Sequence, residues 1–319
     1  MLCLDRGRDR LAALFDRFEH ADRDTVVHAA EAVAALPELS ICSDVESLRN
    51  GLAPPDPDEA ARVSAIRSRL AESRTLEMLD KLDQAHELAQ EQLKSAAGLR
   101  YQAARAEAMF QLGRVLIARG TDSAVHAGQG RLIAASHLAE RNRHDELVVE
   151  IWLRLLRSAA RHRLDVERAR AWSERALAVI GRIGDPASYR AYALREKGII
   201  AYKAGEFADA ETLQRQALDV LDSDPSTPGL IRARHLHDLA VTVQARRRDE
   251  ARRSSAGNPS ARDLFDRALQ LYQAELGDQH PFLSRLRYDI AMMYIQRGEL
   301  SHARASRRHP APASPGARR

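Results

Sequence analysis

Aromatic residues make up only 5% of the 319-residue chain, and cysteine occurs twice. Runs of alternating Val, Ile, Thr and Tyr are missing, which excludes a sheet. No apolar stretch reaches the roughly 20 residues needed to cross a bilayer. The opening MLCLDRGRDR lacks the apolar core of a signal peptide. A basic stripe is missing too, despite the net charge of +4. No acid follows Glu299, and the tail carries Arg304, Arg307, Arg308, Arg318 and Arg319; without these five, 44 basic residues face 45 acidic ones. The one internal cluster, Arg246–Arg253 (RRRDEARR), is interrupted by acids and reads as a solvated loop. Neither a nucleic-acid partner nor a membrane span is therefore expected, and the expected compartment is the cytoplasm. Nothing in the sequence sets the oligomeric state.

Catalytic and metal motifs are also missing. His86-Glu87 opens an HExxH-like string, but position 90 is Gln, so the second zinc ligand is lost. His235 and His237 point to different faces of one helix, and His144, His162, His280 and His302 lie near turns. No P-loop, GxGxxG or GxSxG occurs, and Gly128-Gln129-Gly130 is too short to carry meaning. No catalytic, cofactor-binding or metal-binding residue is nominated, and no cofactor or enzymatic activity is expected. Cys3 and Cys42 lack CxxC or zinc-finger spacing. They are either two ordinary thiols or a disulfide. Asp5–His20 and Asp24–Leu36 read as amphipathic helices, and antiparallel packing of the two brings Cys3 near Cys42, with bonding confined to an oxidising compartment.

Helix formers dominate what is present: Ala, Leu, Arg and Glu. They are organised in a repeat. The clearest unit begins at Ala191, AYALREKGIIAYKAGEFADAETLQRQALDVLDSDP, with Gly198, Tyr202, Gly205, Phe207, Ala210, Ala217 and Leu218. Small residues at these points let two antiparallel helices approach closely. FQLGRVLIARG repeats the seven-residue spacing at Gly113 and Gly120. Taking the small-residue position in the middle of the first helix of each pair gives Ser73, Gly113, Leu156, Gly198, Ala240 and Ala291, with Leu156 a large residue at that site. Their spacings are 40, 43, 42, 42 and 51, the last lengthened by an insertion near Arg248–Ala256. A helix-interior Gly costs about 0.8–1.0 kcal/mol relative to Ala, so glycine at matched positions predicts close packing there.

This pattern resembles the tetratricopeptide repeat (TPR), although Leu194 and Ala201 stand where its consensus has aromatics. The period is longer than the usual spacing of about 34. The connection LGDQHP, Leu276–Pro281, looks like the longer repeat of kinesin light chain. The chain is also similar to the region that follows the catalytic domain in large bacterial serine/threonine protein kinases. The matching stretches are CLDR (Cys3–Arg6), LPELSICSDVESL (Leu36–Leu48), GLAPPDPDEAARV (Gly51–Val63) and RHDELVVEIW (Arg143–Trp152). The kinase motifs themselves do not occur; Arg143-His144-Asp145 has the letters of HRD in another order.

The resemblance implies an all-α fold, an α-α superhelix of TPR type preceded by a short helical hairpin. The expected organisation is a hairpin over 1–50, a Pro-rich linker over 51–62, about six units over 63–303 with the last cut short, and a disordered basic tail over 304–319. Such an array binds a peptide or partner protein on its concave face, in signalling. The alternative is a non-catalytic C-terminal fragment of a kinase, lying outside the cytoplasm if its parent is membrane-anchored and Cys3–Cys42 is oxidised. Projecting the repeat frame, the groove residues are Phe110, Arg114 and Ile117; Arg195, Ile199, Tyr202 and Lys203; His237, Val241 and Gln244; and Tyr288, Met292 and Gln296. These residue types suit an acidic or mixed peptide. Kinesin-light-chain repeats often keep an Asn ahead of the Leu-small pair; Glu196, Asp238 and Asp289 stand there instead.

Overall fold

The computed structural model describes residues 2–36, 42, 52–162, 165–224, 227–251, 261–278 and 280–307. All regular structure among them is helical: α1 (Leu2–Glu19), α2 (Arg23–Ala34), α3 (Pro57–Met78), α4 (Leu82–Ala96), α5 (Gln102–Ala118), α6 (Asp122–Arg141), α7 (Asp145–Arg161), α8 (Val166–Arg182), α9 (Ala187–Lys203), α10 (Phe207–Asp222), α11 (Gly229–Ala251), α12 (Ala261–Leu276), α13 (Phe282–Gln296) and α14 (Leu300–Arg307). The chain divides into two compact units, Met1–Gly205 and Glu206–Arg319.

In the first unit, α3, α5 and α7 each pack on the helix that follows (α4, α6 and α8), and that helix in turn packs on the start of the next pair. The leading helices α3, α5, α7 and α9 also touch one another in sequence, forming a continuous layer. The second unit repeats the scheme with α10 to α14, and α11 touches α13. The first unit's main core is aliphatic, gathered around Trp152 and Trp172, with Leu132, Ile151, Leu155, Leu156 and Ile180 essentially sealed from solvent.

The small-residue positions explain the close pairing. Ser73, fully buried, donates its hydroxyl to the Ala85 carbonyl of α4 at 2.8 Å. A Cβ placed on Gly113 would lie 2.7 Å from a Leu132 methyl and 3.1 Å from the Gly128 carbonyl; one on Gly128 would lie 2.7 Å from the Gly113 carbonyl. The two contacts at 2.7 Å are closer than real side chains come, so α5 and α6 cross at two facing glycines. Ala240 and Ala291 are fully buried in the second unit.

The turns after α5, α9 and α13 carry a left-handed glycine two positions beyond the helix end: Gly120 (φ 75°), Gly205 (φ 82°) and Gly298 (φ 77°). Asp80 (φ 60°) takes this place after α3, where its short polar side chain tolerates the conformation.

The N-terminal helices end close to the expected points, and α1 and α2 touch each other and α3. Leu14, Ala32 and Leu79 form their common core, with Phe18, Leu36 and Met78 around it. Asp22 caps α2 by accepting from the Thr25 amide at 2.8 Å and also pairs with Lys81 at 2.8 Å. The stretch read as a linker to residue 62 is shorter: Pro57 opens α3, where its missing N–H is no loss. At the other end α14 extends to Arg307, past the boundary expected at 303. The remainder of the tail and most of the insertion lie outside the described residues.

Candidate partner-binding groove

The layer of leading helices in the first unit carries a chain of charged side chains that reach one or two repeats along the array. Arg67 of α3 donates to both carboxylate oxygens of Glu107 on α5, at 2.8 and 2.7 Å, and His144 before α7 bonds the same carboxylate at 3.2 Å. Arg74 of α3 reaches Glu150 of α7 at 3.0 Å. Glu77 of α3 accepts from Arg114 of α5 at 3.1 Å and from Arg154 of α7. Arg157 of α7 donates to the Tyr192 hydroxyl of α9 at 3.2 Å.

Burial alone would raise these carboxyls. For Glu107 the hydrogen bonds from His144 and Arg67 outweigh it; for Glu77 the charges of Arg114, Arg154 and Arg74 do so; for Glu150 those of Arg74, Arg10 and Arg114. All three are held well below the ordinary carboxylate range. Burial and the nearby Arg74 pull the Arg114 guanidinium down to about 9, so it stays charged at neutral pH.

Helix α1 lies over this layer. Arg6 pairs with Glu146 at 3.1 Å, Arg10 with Glu150 at 3.5 Å, and Arg17 with Glu72. A cavity of about 130 Å³ remains beneath it, walled by Gly7 and Arg10 above and by Leu70, Phe110, Glu107 and Tyr189 below. Small-molecule pockets run to about 300–1,000 Å³, so the remnant is too small for most ligands while α1 is in place. Burial and the nearby Glu150 and Glu146 push the Tyr189 phenol up, keeping it neutral.

The residues projected from the repeat frame divide by location. Phe110 lines the cavity. Arg114 faces the same layer, tied to Glu77. Ile117 instead turns into the core, where it packs against Gly128 of α6. Arg195 is buried and bonds Glu196 at 2.9 Å, so neither is presented to a ligand. Ile199 packs on the core edge, Tyr202 is half-buried, and Lys203 is exposed.

In the second unit the projected residues of α11 and α13 meet in pairs. His237 donates from Nε2 to Asp289 at 2.9 Å, and Gln244 donates to Gln296 at 2.7 Å. His237 is buried against the rings of Phe265 and Tyr272. Val241 and Met292 are half-buried, and Tyr288 is exposed. Asp289, at an expected Asn position, is thus engaged within the protein, and it also accepts from Arg285.

Sequence reasoning missed Gly128, Gly7 and the carboxylates Glu72, Glu146 and Glu150. The signal for the last two was the i, i+4 spacing of Glu146 and Glu150, which puts both on one face of α7. Cys42 beside the cavity is disulfide-bonded; the Cys3 side chain lies outside the described residues. Among the described residues no group of three His, Cys, Asp or Glu could hold a metal, and no helix is long and apolar enough to cross a membrane.

A family model described as tetratricopeptide repeat matches residues 258–282. The structure of BtubC (BKLC) from P. vanneervenii superposes with a TM-score of 0.55 at 17% identity, covering 69% of this chain and 85% of that one. Two structures of nearly identical TPR-like repeats of a Podosopora anserina kinesin light chain give TM-scores of 0.51 and 0.50, again at 17% identity. They cover 67% and 66% of this chain and 97% of theirs. The fold is a TPR array. At this identity the likeness establishes the fold alone. No curated protein matches the sequence.

Proposed function

We propose that the chain is a protein-interaction scaffold whose leading helices bind a peptide or a partner helix on the concave face. The observation that carries this is the first unit's layer of leading helices, which holds a helix, α1, through three cross-element ion pairs above an incompletely filled cavity. The polar side chains of that layer are fixed by one another, which pre-organises the surface and lowers the entropic cost of binding. The role is binding, without catalysis. The test is selection from a displayed helical-peptide library with the full chain as bait, followed by photocross-linking. Cross-links at Tyr189, Gln244 or Tyr288 support the reading; cross-links confined to α4, α6, α8 and α12 refute it.

A second reading places the scaffold in signalling, as the non-catalytic part of a serine/threonine kinase. One contact favours it: Arg6, from CLDR, pairs with Glu146, from RHDELVVEIW, two stretches that resemble the region following the kinase domain in such proteins. Two separately matching segments therefore belong to one packed unit. A kinase reading frame in the DNA just upstream of Met1 supports this; an independent promoter and start oppose it. Cys3 is proposed as the partner of Cys42, which would suit an oxidising compartment.

A further inference from the structure

Helix α1 packs Leu14 and Phe18 into the N-terminal core, yet turns the rest of its apolar surface outward. Arg6, Arg10 and Arg17 stand at i, i+4 and i+11, within one narrow stripe of a 3.6-residue helix, and that stripe faces α3 and α7. Leu4, Leu11 and Phe15 form the opposite stripe and are exposed, Leu4 by 55% and Phe15 by 59%. An ordinary amphipathic helix buries the apolar stripe and solvates the arginines. Here the choice is dictated by the receiving face, where Glu72 on α3 and Glu146 and Glu150 on α7 wait at matching places. Glu150 is held ionised beside Arg74 and cannot shed its charge by protonation. The docked helix also fits imperfectly, because Gly7, which supplies no side chain, stands over the cavity.

Resting on the reading of the leading-helix face as the binding face, we propose that the first unit's groove recognises an arginine-bearing helix. Helix α1 is its resident occupant, and a partner helix with the same arginine spacing binds by displacing it. The partner's chemistry is thus basic along the contact stripe, the reverse of the acidic or mixed peptide suggested by the groove's own residue types. A partner with a large apolar residue at the place of Gly7 fills the cavity and competes better than α1 does.

The test uses a fluorescent synthetic peptide of residues 2–19 and the full chain in reducing buffer. The parent chain is compared with the triple variant Arg6→Glu, Arg10→Glu, Arg17→Glu, whose α1 is repelled from the groove. Circular dichroism melts establish that the array remains folded. Anisotropy is expected to show at least tenfold tighter binding to the variant than to the parent. A peptide with Gly7→Leu should bind tighter still, and one with the three arginines as glutamine should lose at least tenfold. A second chain, Glu72→Arg with Glu146→Arg, should reject the native peptide and accept one carrying Arg6→Glu and Arg17→Glu. Equal affinity for parent and triple variant, no binding to either, or undiminished binding of the glutamine peptide would each overturn the proposal. If library-selected peptides still cross-link to the leading helices while the 2–19 peptide fails, only this inference falls; if neither does, the underlying reading falls with it.

Discussion

Replacing Gly128 by Ala tests the packing that defines the array, because Gly130 two residues away provides an internal control. Both glycines lie inside α6, and in both cases Ala gains about 0.5–1 kcal/mol of helix propensity. The added methyl group meets nothing within 4 Å at position 130. At position 128 it lies 2.7 Å from the Gly113 carbonyl, 2.8 Å from an Ile117 side-chain carbon and 3.1 Å from the Ile117 amide nitrogen. Two of those three atoms are backbone and cannot swing aside, so α5 and α6 must separate. Overpacking of this kind costs about 1–3 kcal/mol. Gly130→Ala is therefore expected to stabilise by about 0.5–1 kcal/mol, and Gly128→Ala to end between neutral and about 2.5 kcal/mol destabilised. The gap between them equals the overpacking cost. Urea titrations followed by circular dichroism read it as a difference in midpoint at constant slope. Equal shifts in the same direction for the two variants would refute the close crossing at Gly113 and Gly128.

Three further outcomes are expected. Glu77→Gln leaves Arg114 and Arg154 buried without their shared carboxylate and should cost about 3–5 kcal/mol, against less than about 1 kcal/mol for Glu72→Gln at a more exposed pair; thermal melts that rank the two equally would contradict the assigned burial. The carboxyls of Glu77, Glu107 and Glu150 are lowered in the folded chain, so their contribution is intact above the ordinary carboxylate pKa of about 4.3 and is lost as pH falls towards the folded values. The melting temperature should stay level from pH 7 to about 5 and drop steeply below about 4, and a level profile down to pH 3 would count against the ion-pair chain. If Cys3 and Cys42 are bonded, closing a loop of roughly 40 residues, reduction should destabilise by about 4 kcal/mol. Mass spectrometry after alkylation without reductant should then find neither thiol labelled.

The helical repeat was legible because it depends on spacing, and spacing survives substitution. The left-handed residue after α3, α5, α9 and α13 holds its place even where Asp80 replaces glycine, 40 residues before Gly120. The small positions were legible for the same reason. Gly128 was not, since nothing in a single glycine says which neighbouring helix will approach it; only its position opposite Gly113 gives it meaning. Arg195 misled for a related reason. A basic residue in a leading helix suggests an open surface, yet its neighbour Glu196 neutralises it and both are buried. The orientation of α1 was hidden most deeply. Its pattern is amphipathic either way, and the face it turns inward is fixed by carboxylates 55 to 140 residues away.

The polar links between leading helices limit how such a chain can grow. Arg67 finds Glu107 one repeat on, while Arg74 and Glu77 reach across two repeats to Glu150 and Arg154. A purely apolar stack would accept duplication of any unit, since each surface fits the next. Here an extra unit placed after α4 would carry Arg74 away from Glu150 and Glu77 away from Arg154, stranding several charges at once. Genetic expansion in this stretch is therefore penalised, and the number of units between α3 and α7 is locked by electrostatics.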